Sequence, residues 1–226
     1  MSELLFIILI GLIVIAFAAF VYKQDGTDFT KLTNYSFFDL LFDRELRKLN
    51  RMYKAIQRVD GEHRILLNVH IHEGVNVHKI PAILLHESGI HVISTVDLDG
   101  WVIGSDRSIE WVNLLYKNEK KTFENPVLVN RSYIYALRDS MAELPENVFQ
   151  SVVVFNDGCS FQKVEVSSEY VEVLKTKELP RWADSLVGQA LSKEDIEKLY
   201  GVLKEKMEFQ KKVIVKKNVK RKKQTA

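Results

Sequence analysis

The sequence has a single cysteine, Cys159, among 226 residues. One thiol excludes an intrachain disulfide framework and any zinc site built on two or more thiolates. Proline and glycine are also sparse, at four and ten residues, while hydrophobic residues make up 46% of the chain. This composition excludes collagen-like, low-complexity and wholly disordered chains. No glycine-rich phosphate loop and no intact catalytic motif occurs in the sequence.

Net charge is low, at +2, but the charge is unevenly distributed. Residues 211–226 contain eight basic and no acidic residues, which leaves 24 basic and 30 acidic residues in 1–210, a balance of −6. The sequence therefore predicts an acidic body with a basic C-terminal tail. The length is that of one domain with appendages.

Charge is absent from the nineteen residues between Leu4 and Tyr22. As a helix this run would be about 28 Å long, close to the thickness of a bilayer core. It predicts a transmembrane anchor over residues 1–23. A cleaved signal peptide is the alternative, because Ala16-Phe17-Ala18 resembles a cleavage site, but no basic residue precedes the apolar run. A buried core helix is disfavoured because the run is apolar on every face.

Basic residues follow the apolar run and none precedes it. They are Lys23, Lys31, Arg44, Arg47, Lys48 and Arg51. Since cytoplasmic flanks are enriched in lysine and arginine, we expect a single-pass protein with its N-terminus outside and its domain in the cytoplasm.

After the anchor, residues 24–35 are polar and predict a juxtamembrane linker. Ser36 and Asp39 then form a capping-box pattern at the start of a helix. Alternating and apolar segments between 63 and 116 predict four or five strands. Asn125-Pro126 begins a second helix, residues 148–155 and 161–166 predict two more strands, and Ser192 begins a last helix. The order predicts one α/β (α+β) domain over residues 36–210.

One pattern within this domain resembles the nuclease-related domain (NERD) family over roughly residues 45–166. The residues that carry the resemblance are Gly89-Ile90-His91-Val92-Ile93, Ser94-Thr95-Val96-Asp97, Gly100, Gly104, Trp111 and Asn125-Pro126. The resemblance implies a restriction-endonuclease-like fold, in which a mixed sheet is flanked by helices.

The resemblance also implies a metal-dependent nuclease site, whose residues differ here. The family's aspartate, glutamate and lysine correspond to Pro81, Ser94 and Val96, and a helix glutamine corresponds to Val129. Only a helix acid is retained, as Glu45. Because Mg²⁺ needs hard oxygen ligands, we expect no catalytic residues, no metal site and no cofactor.

The other reactive side chains predict no catalytic site. His70 and His72 share one face of a predicted strand, with further histidines at 78, 86 and 91. A His-x-His pair alone is a weak zinc signal, so we interpret these histidines as the polar outer face of the sheet. Cys159 follows Gly158 in a predicted turn, without a base that can be assigned to it.

The basic tail has three interpretations that the sequence leaves open. It is a solvated end, a segment that binds anionic lipid, or one that binds nucleic acid without sequence preference. Its candidate binding residues are Lys211, Lys212, Lys216, Lys217, Lys220, Arg221, Lys222 and Lys223.

These features together predict a membrane-anchored, non-catalytic NERD-like domain with a binding or scaffold role at the cytoplasmic face. The alternatives are a metal-dependent nuclease with a relocated active site and a module that binds anionic lipid or nucleic acid through the tail. The sequence indicates a membrane partner and identifies no protein partner.

Overall fold

A computed structural model describes residues 2–73, 76–115, 119–139, 141, 144 and 146–207. The chain divides into two compact units, Met1–Tyr53 and Lys54–Ala226. The predicted candidate residues 211–223 of the tail lie outside the described residues.

The first unit is helical. It contains α1 (Ser2–Asp25), α2 (Asp28–Thr33), α3 (Phe37–Phe42) and most of α4 (Arg44–Ile56). Leu5–Asp25 of α1 is long and apolar enough to cross a membrane, with a mean hydropathy of 3.0, and its apolar side chains are exposed. This agrees with the predicted anchor, although an N-terminal signal sequence has the same character.

The segment after α1 is more helical than the sequence predicts. The predicted polar linker contains α2, and the predicted helix from Ser36 is interrupted at Asp43. The Asp43 carboxylate accepts the backbone N–H groups of Glu45 at 2.8 Å and Leu46 at 3.1 Å, so it caps a new helix. The capping box of Ser36 and Asp39 is present as predicted.

The second unit is built on two mixed sheets. Its strands are β1 (His63–Glu73), β2 (Asn76–His86), β3 (Gly89–Val96), β4 (Gly100–Ser105), β5 (Glu110–Leu114), β6 (Lys120–Glu124), β7 (Phe149–Phe155), β8 (Cys159–Glu165) and β9 (Val171–Lys175). Its further helices are α5 (Pro126–Asp139), α6 (Leu179–Asp184) and α7, which covers residues 193–207.

The larger sheet has the order β1-β2-β3-β7-β9. Its first three strands are antiparallel, and β7 joins β3 and β9 in parallel. The smaller sheet has the order β6-β5-β4-β8, with a parallel pair between β4 and β8. Two mixed sheets with flanking helices are consistent with the predicted restriction-endonuclease-like class, although the sequence predicts one central sheet rather than two.

Two apolar clusters form the core of this unit. In the larger cluster, apolar residues of α5 and α7, including Leu137 and Leu199, lie with residues of β1, β2 and β3 such as Ile83 and Val92. The smaller cluster joins Trp111 of β5, Val127 of α5 and Phe155 of β7. Because β7 is buried on both faces, its sequence is nearly continuously apolar, as is typical of central parallel strands.

The β1–β2 hairpin is irregular at its middle. Leu66 pairs with Ile83 and Val69 pairs with Ile80, yet all four belong to the same core cluster, although the pairs differ by an odd number of residues. Strict alternation would point the two pairs to opposite faces. The interruption falls at Asn68, whose φ of 51° lies in the left-handed region and which comes opposite Pro81 in the register of the two strands.

Candidate functional site

The positions at which the resemblance implies metal ligands are adjacent in the larger sheet. Ala82 of β2 pairs with Ile93 of β3, so the next step of the same register brings Pro81 opposite Ser94. Val96 lies two residues further along β3 and therefore on the same face as Ser94. The structure thus brings together the three sequence positions predicted to correspond to an aspartate, a glutamate and a lysine.

The other two predicted positions lie on helices. Glu45 belongs to the first unit, where its exposed carboxylate pairs with the ammonium of Lys48 at 2.8 Å. Val129 is on α5 and is half-buried. The helix side chain that reaches the sheet is its neighbour, Asn130.

A buried polar cluster occupies the space between α5 and the strands β3 and β7. Asn130 is fully buried, and its side-chain amide donates to the Val92 carbonyl at 2.8 Å and to the Ser151 hydroxyl at 2.9 Å. Among the described residues, neither the Asn130 side-chain oxygen nor the hydroxyl of Ser94 has a hydrogen-bond partner. Since Val92 pairs with Ser151, the side chains of Val92, Ser94 and Ser151 share one face of the sheet.

This polar cluster is neutral. Its side chains carry hydroxyl and amide groups, whereas Mg²⁺ in proteins is bound through carboxylates and water. Among the described residues, no group of three or more His, Cys, Asp or Glu side chains could hold a metal ion. The residues at positions 81, 94 and 96 therefore do not fit the metal that the resemblance implies.

Sequence reasoning missed Asn130 and Ser151. Each is a polar residue at a position that the pattern places inside: Ser151 directly precedes the apolar run VVVF of β7, and Asn130 lies on the same face of α5 as the buried residues Val127 and Leu137. An isolated polar residue in a buried run usually has a hydrogen-bond partner. That interruption is the signal by which the sequence could have indicated both residues.

The glycine, tryptophan and asparagine of the resemblance meet at one backbone carbonyl. The carbonyl of Ser105 accepts the indole N–H of Trp111 at 2.9 Å and the side-chain amide of Asn125 at 3.1 Å. A Cβ atom at Gly104 would collide with the Trp111 ring. The Asn125 side-chain oxygen accepts the backbone N–H of Val127 at 2.9 Å and so caps α5. These residues therefore position the smaller sheet against the start of α5.

Asp106 is a buried acid with a structural role. Its carboxylate accepts the hydroxyl of Ser168 at 2.7 Å and the backbone N–H groups of Ser167 and Ser168 at 3.0 and 2.9 Å. These hydrogen bonds, led by that from the Ser168 hydroxyl, lower the pKa of Asp106 to about 2. An acid held ionised by the segment that follows β8 joins two distant parts of the chain and is a poor proton donor.

Two of the histidines are buried rather than on the outer face that the sequence predicts. The rings of His86 and His91 both contact the Ser88 hydroxyl, at 2.7 Å from Nδ1 of His86 and 2.9 Å from Nε2 of His91. The Nε2 atom of His86 lies 2.8 Å from the Asp60 carbonyl, and the ring of His91 meets Trp182 edge to face. The prediction that these two histidines lie on the outer face was wrong, because Trp182 of α6 and the segment at Asp60 cover the β2–β3 turn.

Burial of His91 should make the folded protein sensitive to acid. Desolvation, together with the nearby His86, lowers the pKa of His91 to about 3 from an ordinary value of 6.5. As the pH falls below 6.5, the unfolded chain takes up a proton that the folded chain does not, so stability is present above pH 6.5 and is lost toward pH 3. We expect His91 to account for up to about 2 kcal/mol of loss between pH 7.5 and pH 5.

Urea unfolding of the full chain in detergent at these two pH values measures the loss. The variant His91→Gln should show a smaller pH dependence, while His63→Gln, on strand β1 of the same sheet, serves as the control. Equal pH dependence in the His91 variant and the parent would contradict the prediction.

Cys159 is buried and is a poor nucleophile. Its thiol lies 3.4 Å from the Asn156 carbonyl, and burial raises its pKa. Thiolate is the reactive form of cysteine, so a raised pKa opposes catalysis. That Cys159 is not catalytic stays a prediction.

Comparison with known proteins supports the resemblance to the nuclease-related domain family. The sequence model of the nuclease-related domain family matches residues 43–156. An uncharacterized protein of Bacillus anthracis is 26% identical over 122 residues, which are 54% of this chain and 56% of that protein. The chain thus spans about half the length of this relative. No solved structure matches the chain.

Proposed function

Because the chain belongs to the nuclease-related domain family, we propose that it is a non-catalytic member with a binding or scaffold role at a membrane. One observation carries the proposal: Pro81 and Ser94 come opposite each other on β2 and β3, where the family resemblance implies a metal-binding aspartate and glutamate. A proline ring and a serine hydroxyl stand in place of the two carboxylates, and Val96 provides no cation for a phosphate.

The neutral cluster around Asn130 supports this proposal. A nuclease site must admit a phosphodiester, a divalent ion and water. Here Ser94 is 7% exposed and Asn130 is fully buried. The face that would meet substrate is instead covered by α5, whose amide donates to β3 and β7.

The membrane part of the proposal depends on α1. Its exposed apolar surface needs a hydrocarbon environment, and the basic residues that follow it favour a cytoplasmic location of the second unit. We propose that residues 1–23 anchor the chain, that 24–35 connect it and that 36–210 form the domain. Protease protection of intact cells tests the orientation: digestion of the domain from outside contradicts it.

The full chain, purified in detergent, should not cleave nucleic acid. Single-stranded and double-stranded DNA and RNA are incubated with Mg²⁺ or Mn²⁺, and calorimetry measures Mn²⁺ binding. We expect cleavage no faster than with a Ser94→Ala variant and no metal-dependent heat. Metal-dependent cleavage that is abolished by Glu45→Gln would contradict the proposal and support a nuclease with a relocated site.

For the basic tail we propose attachment to anionic lipid, supported by the charge of +8 in residues 211–223. Each basic residue near an anionic surface contributes about 1 kcal/mol, and screening shortens the interaction from about 10 Å at 0.1 M salt to about 3 Å at 1 M. Deletion of residues 211–226 should therefore weaken binding to added anionic vesicles and make the remaining binding less sensitive to salt.

Vesicle flotation of the full chain in nanodiscs, with and without the tail, measures this effect. Neutral vesicles and random-sequence DNA are the comparison ligands. Equal binding by both forms would show that the tail is a solvated end, and stronger binding to DNA than to anionic vesicles would favour nucleic acid.

A further inference from the structure

The short helix α3 exposes large apolar side chains directly after the apolar helix α1. Phe38 is 45% exposed, Leu41 is 50% exposed and Phe42 is 80% exposed. The only charged residue in the helix, Asp39, is used by the capping box with Ser36. Exposing this much apolar surface to water is unfavourable for a helix of only six residues.

The position of α3 within the first unit is set by aromatic contacts. The ring of Phe37 meets the ring of Phe20 edge to face at 5.4 Å, and Phe38 follows at 5.6 Å from Phe37. Phe20 lies two residues before the end of the uncharged run at Tyr22. When α1 crosses a bilayer, α3 is therefore at the depth where hydrocarbon meets headgroups.

The next helix, α4, presents a row of arginines. Arg44, Arg47 and Arg51 follow each other at intervals of three and four residues, so they share one face, and all three are exposed. The opposite face, with Leu46, Leu49 and Met52, is buried. Lys54 continues the row by a further three residues and is exposed too.

Arg47 has a different role from Arg44 and Arg51. The guanidinium of Arg47 donates to the carbonyls of Leu40 and Leu41 at the end of α3. It thereby fixes the end of the apolar helix to the start of the cationic one, since a cation is favourable at a helix C-terminus. Arg44 and Arg51 flank it on the same face and remain exposed.

We propose that α3 and the start of α4 form an interfacial element that binds the same bilayer that α1 crosses. Phe38, Leu41 and Phe42 insert among the acyl chains near the headgroups, and Arg44 and Arg51 bind the phosphates of anionic lipids. An apolar segment next to a cationic face is the pattern by which helices lie in a membrane interface. The inference rests on the proposed anchoring by α1 and goes beyond it, because it assigns a second, charge-selective contact outside the tail.

Site-specific fluorescence of the full chain in vesicles tests the proposal. Cys159 is buried and is replaced by serine, and a single cysteine is then placed by Leu12→Cys, Phe42→Cys or Ile109→Cys and labelled with an environment-sensitive dye. Position 42 tests α3, position 12 tests α1, and Ile109 is a matched apolar residue of the second unit, exposed by 81% against 80% for Phe42.

The expected result is a blue-shifted dye at position 42 that lipid-borne nitroxides quench and that iodide quenches about threefold less than at position 109. If the dye at 42 is as accessible to iodide as that at 109 while the dye at 12 is protected, the inference is wrong and the anchor stands. If the dye at 12 is also accessible, the anchoring itself is wrong.

The lipid charge is tested with the same label. Protection at position 42 should increase when phosphatidylglycerol is added to phosphatidylcholine vesicles, and Arg44→Gln with Arg51→Gln should abolish that increase. The control pair, Arg131→Gln with Arg181→Gln, removes the same charge from the second unit and should leave it intact. Protection that does not depend on lipid charge or on these arginines would overturn the assignment of a headgroup contact.

Discussion

The variant Trp111→Ala should lose about 3–5 kcal/mol of the free energy of unfolding. Trp111 is fully buried, its ring stacks on Phe155 at 5.8 Å with an angle of 8° between the planes, and Phe123 packs against it edge to face. The substitution leaves a cavity in the smaller core cluster and removes the indole donor from the Ser105 carbonyl.

Urea unfolding of the detergent-solubilised chain measures this loss, and the sequence supplies a matched control. Trp101 lies in the neighbouring strand β4 and is 54% exposed, so Trp101→Ala should change the stability by less than about 1 kcal/mol. Similar losses in the two variants would indicate that burial of Trp111 does not hold the smaller sheet in place.

The variant Ser94→Glu should lose about 4 kcal/mol at pH 7. A glutamate at this 7% exposed position must either bury its charge or bind a proton, and protonation of an ordinary glutamic acid at pH 7 costs about 3.7 kcal/mol. The folded-state pKa is raised, so the electrostatic loss should decrease as the pH falls toward about 4.3. The larger side chain adds a packing cost.

The matched substitution Ser94→Ala should be nearly neutral, because the hydroxyl that it removes has no hydrogen-bond partner in the part of the chain that the structure describes. The double variant Pro81→Asp with Ser94→Glu should gain stability when Mn²⁺ is added, since a ligand that binds only the folded state stabilises it. The parent should not respond. A response of the parent, or none in the double variant, would contradict the assignment of positions 81 and 94 to the family's metal site.

Patterns with a local physical cause were predictable from the sequence. The capping box of Ser36 and Asp39, the helix start at Asn125-Pro126 and the apolar strand β7 depend on neighbouring residues, and all three are present. The helix cap at Ser192 is present too, with the Ser192 hydroxyl accepting the Asp195 N–H at 3.1 Å. Each of these features needs only a few consecutive residues to form.

Features that depend on distant partners were not predictable. Strand β6 has the sequence KKTFE, whose lysines are tolerated because β6 is the edge of its sheet. Strand β9 is short and becomes a strand by pairing with β7. Asn130 became a site residue only because α5 lies across β3 and β7, whose carbonyl and hydroxyl accept its amide.

The contacts at the Ser105 carbonyl are made by other residues than those at the positions where the resemblance implies metal ligands. Gly104, Trp111 and Asn125 hold the smaller sheet and the start of α5, whereas positions 81 and 94 belong to the larger sheet. The residues at 81 and 94 can therefore change without disturbing these contacts, which are made by three of the residues that carry the family resemblance. In such a domain the architecture can outlast the chemistry, and a match to the family identifies the inherited frame rather than a reaction.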